Sequence, residues 1–144
     1  MKILIIGQAP PAVIQELPYD TTLLYVMFSW VGIDKIKSQE LFEFESMSNV
    51  FPGHGVKGHL KPTKDVMQEH YKNTLKGKIE KADKVLILGN VAKEALLEYG
   101  IYNLKQTKNI LCLIHPSKRN YSKIMNSKNE IIKSLNHFLH EGNF

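Results

Sequence analysis

A chain of 144 residues, 43% hydrophobic and 23% charged, suits one soluble domain around a single core and is too apolar for a disordered class. No apolar run nears the roughly 18 residues that span a bilayer, and the single cysteine, Cys112, excludes an intrachain disulfide and any cysteine-built metal or iron–sulfur site. The net charge of +5 favours a polyanionic partner or an anionic substrate.

The first element is the short apolar run Lys2–Ile6, which reads as a central strand. It is too short for a signal peptide, and Gly-Gln-Ala-Pro-Pro follows it in place of a cleavage site, so the expected location is the cytoplasm. From Thr21 to about Val31, apolar residues recur at helical spacing (Leu23, Leu24, Met27, Phe28, Val31), and Gly32 is a stop signal. A short strand is expected near Met47–Phe51. Residues 52–62 are loop by composition. Thr63 caps a helix running to about Lys81. Lys84–Leu88 is a clear strand; Asn90 is suited to cap the next helix, which runs through Glu98 and ends at Gly100. Ile110–Ile114 is another clear strand and contains Cys112, read as a small buried hydrophobe. A last helix carries Ile124, Ile131, Ile132, Leu135, Phe138 and Leu139 on one stripe and stops near Gly142. Apolar strands alternating with amphipathic helices predict a single domain over 1–144: a three-layer α/β/α fold on a four-stranded parallel sheet.

In such sheets, ligands bind outside the carboxyl ends of the strands. Three segments fall at those ends: Gly7-Gln8-Ala9-Pro10-Pro11, Asn49, and His115-Pro116-Ser117. A glycine at a strand end permits close backbone approach to a ligand, and two prolines stiffen the turn that follows. Of the basic residues only Arg119 is an arginine, and it stands two residues after His-Pro-Ser, where a planar fork suits phosphate. Residues 53–58, Gly-His-Gly-Val-Lys-Gly, match the dinucleotide fingerprint in form. His59-Leu60-Lys61-Pro62 follows where a helix would have to start, so that reading fails. His137 and His140 are three apart on the last helix, and His54 and His59 flank the glycine loop. Neither pair has a third ligand near it in sequence, and no metal is expected.

These segments resemble the uracil-DNA glycosylase superfamily. Gly7-Gln8-Ala9-Pro10-Pro11 is similar to its first motif, a glycine and a polar residue before Ala-Pro or Asp-Pro. His115-Pro116-Ser117-Lys118-Arg119-Asn120 is similar to the His-Pro-Ser-x-Arg-Asn form of its second motif. Val85–Ala92 resembles the middle strand followed by Gly-x-x-Ala. Tyr19, after Pro18, falls where one branch has a base-stacking aromatic, and Ser48-Asn49-Val50 where it has the base-reading asparagine. The chain departs from the pattern in lacking the cysteine set of the iron–sulfur branch, so no cofactor is expected. Gln8-Ala9 also replaces the Glu or Asp that activates water.

The resemblance implies hydrolysis of the N-glycosidic bond of uracil, or of another deaminated or modified base, in DNA. The target base leaves the stack and enters a pocket. Gly7, Ala9, Pro10, Tyr19, Asn49 and Ser117 would bind the substrate, with Asn49 reading the O4/N3 edge. Gln8 would hold water, and His115 would donate to O2 as negative charge develops. Lys118, Arg119, Asn120 and Tyr121 would meet DNA, single- or double-stranded, with the protein acting as a monomer away from membranes. A catalytically weak or inactive binder of a flipped base, and a nucleoside or nucleotide hydrolase, are the alternatives.

Overall fold

A computed structural model describes residues 1–8, 22–48, 54–55, 58–59, 62–104 and 109–141, with backbone alone for the two pairs 54–55 and 58–59 and for residue 141. In chain order the elements are β1 (Ile3–Gly7), α1 (Thr22–Ser29), α2 (Lys35–Leu41) and β2 (Phe42–Ser46). A small antiparallel pair follows, β3 (His54–Gly55) and β4 (Gly58–His59). One long helix comes next, α3 (Lys64–His70) and α4 (Lys76–Lys81), joined through a π-helical stretch at Tyr71–Leu75. Then come β5 (Lys84–Leu88), α5 (Asn90–Glu98), α6 (Ile101–Leu104) and β6 (Ile110–Leu113). The chain closes with a 3-10 turn (Lys118–Asn120), α7 (Tyr121–Asn126), α8 (Lys128–Asn136) and a π-helical end (His137–Glu141).

The main sheet has four strands in the order β2-β1-β5-β6, and every pairing is parallel. The predicted three-layer α/β/α architecture is therefore observed. β1 is buried throughout because it feeds two cores. Ile3 and Ile5 face one side, where Leu24, Met27 and Phe28 of α1, Ile124 of α7 and Ile131 and Leu135 of α8 pack. Leu4 and Ile6 face the other, against Met67, Tyr71, Leu75 and Ile79 of the long helix and Ala92, Ala95 and Leu96 of α5. Each fully buried Leu, Ile or Phe side chain contributes about 1.5–3 kcal/mol relative to exposure.

Several boundaries differ from the expectation. The second strand is Phe42–Ser46, ahead of the expected 47–51, of which Met47 and Ser48 follow it and 49–51 lie outside the described residues. Its Phe-Glu-Phe-Glu alternation puts Phe42 and Phe44 into one core, their rings 5.9 Å apart. Glu43 and Glu45 point to the other side, where Lys78 bridges them, 3.3 Å from Glu43 and hydrogen-bonded to Glu45. The Glu45 carboxylate, the largest cause, lifts the Lys78 amine above its ordinary range. His70 Nε2 lies 3.4 Å from Glu45 without hydrogen-bond geometry. This polar face made the strand look unlike a buried run. α2, unforeseen in a polar stretch, starts at Asp34, whose carboxylate accepts from Lys37 N at 2.8 Å. Thr63 caps the long helix as expected, accepting from Val66 N at 3.3 Å.

The cap of α5 is Gly89, not Asn90; Asn90 is already helical. The last helix is interrupted at Ser127 by a turn, and Ile132 sits half-buried beside the stripe formed by Ile124, Ile131, Leu135, Phe138 and Leu139. Within 52–62 the loop contains the short β3–β4 pair.

Lys84, the first residue of β5, is 0% exposed. Its Nζ donates to the Phe138 carbonyl at 2.6 Å and lies 5.5 Å from the centre of the Phe138 ring. Burial pushes this amine below its usual range. The start of β5 and the end of the last helix are thereby tied together, at the amino edge of the sheet.

Candidate active site at the carboxyl edge of the sheet

From β1 the chain goes to one side to make β2, and later returns on the other side of β1 to make β5. The order of connection reverses there, and crevices at such points are where parallel sheets bind ligands. Ile6 is level with Ile87, and Leu88 with Leu113. Continuing that register sets Gln8 level with Gly89 and Ile114. Strand spacing of about 4.8 Å then separates the ends of β1 and β6 by about 10 Å.

The end of β1 is stapled to β2. Met47 N donates to the Gly7 carbonyl at 2.9 Å and to the Gln8 carbonyl at 3.1 Å. Ser46 Oγ donates to Ser48 O at 2.6 Å, closing a buried turn. Gln8 is half-buried at the end of this described segment. Ala9, Pro10, Tyr19 and Asn49 lie outside the described residues.

The end of β6 is built more fully. Gly89 N donates to Leu113 O at 2.9 Å, which joins the β5 and β6 ends. The chain then turns tightly. The His115 carbonyl accepts from Ser117 N at 2.9 Å and from Asn120 Nδ2 at 2.9 Å, and Asn120 N donates to Ser117 O at 3.0 Å. His115 is therefore held in place through its backbone carbonyl. Burial, and secondly the Arg119 guanidinium, push its pKa below the ordinary histidine value. The ring is neutral at neutral pH and presents one N–H donor and one acceptor. Two buried side-chain atoms of this turn, His115 Nδ1 and Ser117 Oγ, have no partner among the described residues. Buried polar atoms without partners are costly, so each calls for an explanation, and a bound group is one. Beyond the turn, Lys118, Arg119 and Tyr121 are exposed, Tyr121 by 50%. Asn120, expected at the DNA, has an internal role in the described structure through its amide bond to His115.

The described part of the site thus brings together Gly7, Gln8, His115 and Ser117 along the carboxyl edge, with a cationic and aromatic turn beside them. Among the described residues no three His, Cys, Asp or Glu side chains gather to hold a metal. His137 and His140 are exposed on the last helix. Cys112 is half-buried on β6, and burial raises its thiol pKa, which makes it a poor nucleophile. No helix among the described residues is long and apolar enough to cross a membrane.

The family model described as the uracil DNA glycosylase superfamily matches residues 1–139. The chain belongs to the uracil-DNA glycosylase superfamily. The matched range includes both motifs and all four strands of the sheet. None of the curated proteins matches the chain. Membership makes this a glycosylase-fold protein; substrate and activity are a separate question, since one fold hosts many functions. Sequence reasoning places Gly89 in the Gly-x-x-Ala segment that carries the resemblance but assigns it no role at the site. Its signal was present: a glycine immediately between a buried strand and a helix.

Proposed function

We propose that the protein is a DNA N-glycosylase that hydrolyses the bond between the sugar and uracil, or another deaminated or modified base, in base-excision repair. The observation that carries this reading is a half-buried histidine, its pKa pushed down and its backbone held, on the same sheet edge as Gln8 in a superfamily member. Breaking the N-glycosidic bond leaves a cation-like sugar and an anionic base. A neutral His115 donating to the base oxygen stabilises the charge that develops in the transition state. Gln8 orients water but does not take its proton. Losing a general base costs about 10²–10⁴-fold. A dissociative reaction tolerates that loss, because the sugar cation reacts readily with neutral water.

On this reading Asn49 and Tyr19 recognise the flipped base by edge and face, with Gly7, Ala9, Pro10 and Ser117 around it. Lys118, Arg119 and Tyr121 meet the DNA, and Asn120 braces their turn through its bond to the His115 carbonyl. The net charge of +5 supports a polyanionic partner. The reading calls on no cofactor and places a monomer in the cytoplasm.

Gln8 also favours a second reading, in which the protein binds a flipped base without cleaving it. Base release from single-stranded DNA, duplex DNA and free deoxyuridine, each carrying uracil, is the deciding experiment. Release from either DNA supports the glycosylase. Release from free deoxyuridine alone makes the protein a nucleoside hydrolase. DNA binding without release, over a panel of deaminated bases, makes it a binder.

A further inference from the structure

We infer that Gly89 is a positioning residue for His115: its missing side chain is the seat on which the imidazole rests, at the first turn of α5. This rests on the reading of His115 as the group that stabilises the leaving base.

The seat is visible in the distances. A Cβ on Gly89 would lie 3.2 Å from His115 Cβ, 3.5 Å from Cδ2 and 3.7 Å from Cγ. The first is tighter than ordinary packing, and the other two trace the edge of the ring. The neighbour cannot easily give way, because the His115 carbonyl is already held by Ser117 N and Asn120 Nδ2. The Gly89 backbone is fixed too. Its φ of 85° and ψ of 167° fall in a region that glycine alone occupies readily, and its N–H is bonded to Leu113 O. Both partners are therefore pinned, and any side chain at 89 must move the imidazole.

Gly89 is also the N-cap of α5, with no side-chain cap bond. The ring thus rests beside the positive end of a helix. That end disfavours a protonated imidazole, in the same direction as burial and as Arg119, the charged group acting on it. One glycine thus sets where the donor stands, at a helix end whose field acts in the same direction as burial.

The test separates this role from the general strain of a side chain at positive φ. Gly32 has φ 82° and nothing within 4 Å of its would-be Cβ, so Gly32→Ala reports backbone strain alone. Gly89→Ala and Gly32→Ala are compared with the unaltered protein by denaturant unfolding, by NMR titration of the His115 ring, and by uracil release from a single-stranded oligonucleotide. Both variants should lose stability. Gly89→Ala alone should shift the ring resonances of His115, raise its pKa and lower turnover by at least tenfold. Unmoved His115 resonances in a folded Gly89→Ala protein overturn the inference, as does an equal shift in Gly32→Ala. Should Gly89→Ala not fold, the unaltered protein still decides: a strong nuclear Overhauser contact between the Gly89 α protons and His115 Hδ2 is expected, and its absence refutes the seat. If no form releases uracil while the NMR results hold, the glycosylase reading fails and the positioning of His115 stands.

Discussion

Asn120 reaches back across one turn and gives its side-chain amide to the carbonyl of His115, 2.9 Å away. This bond, with the Ser117 N–H on the same oxygen, fixes the peptide that carries the imidazole. Asn120→Ala should therefore cost about 1 kcal/mol of stability, the net worth of such a bond. It should lower activity by more than that loss of folded protein accounts for, because the imidazole loses its fixed orientation. Urea unfolding set beside turnover of the folded fraction checks both. Asn120→Asp, which keeps the shape but loses the donor, should behave like Asn120→Ala.

The two central side chains are expected to differ in weight. His115→Ala should lower base release by about 10²–10³-fold, the range for removing one donor to a developing anion. Gln8→Ala should cost less, because it removes only the orientation of a water. Gln8→Glu should raise the rate by restoring a carboxylate beside the water. Single-turnover rates of variants shown to be folded give the ranking. A larger loss for Gln8→Ala than for His115→Ala would assign the chemistry to water activation instead.

Acid pH offers a third measurement. The folded protein holds the His115 pKa below the ordinary 6.5, through burial first and Arg119 second. Below about pH 6.5 the unfolded chain takes up this proton and the folded chain resists it. Stability should therefore fall as pH drops from 6.5 toward the lowered pKa, and this contribution should be flat above 6.5. His115→Gln should remove that part of the acid slope. Base release, by the same argument, should hold its rate through pH 6.5 rather than halve there.

Contact with DNA should follow position rather than charge alone. Arg119 lies beside the His-Pro-Ser turn, whereas Lys133 lies on α8. Arg119→Glu should weaken binding to an oligonucleotide more than Lys133→Glu. It should also flatten the dependence of log K on log salt by about one unit, as expected for one lost phosphate contact. Fluorescence anisotropy at several salt concentrations provides both values, and equal effects would move the contact surface away from this turn.

The strands that shape the edge were legible where their residues are apolar without a break. Lys84–Leu88 stands at its predicted bounds, and Ile3–Gly7 and Ile110–Leu113 lie within a residue of theirs, because continuous apolar runs of that length fit a covered parallel sheet. β2 was misplaced because two of its residues are glutamates, whose partners His70 and Lys78 come from a helix more than twenty residues away. No local pattern announces such a pairing. Within the site, His115 and Gln8 were readable as residues just past a strand. The hold of Asn120 on the His115 carbonyl and the contact of Gly89 with the ring were not, since each depends on how a turn closes or how two strands end side by side.

The Lys84–Phe138 tie lies at the opposite end of the sheet from His115. Closure of the last helix and chemistry thus occupy separate ends of one scaffold. An engineer seeking a new base preference can vary the turns after β1 and β6 with the clasp at the other edge untouched. Conversely, tightening that clasp offers a reserve of stability from which damaging changes at the catalytic turns could be tolerated.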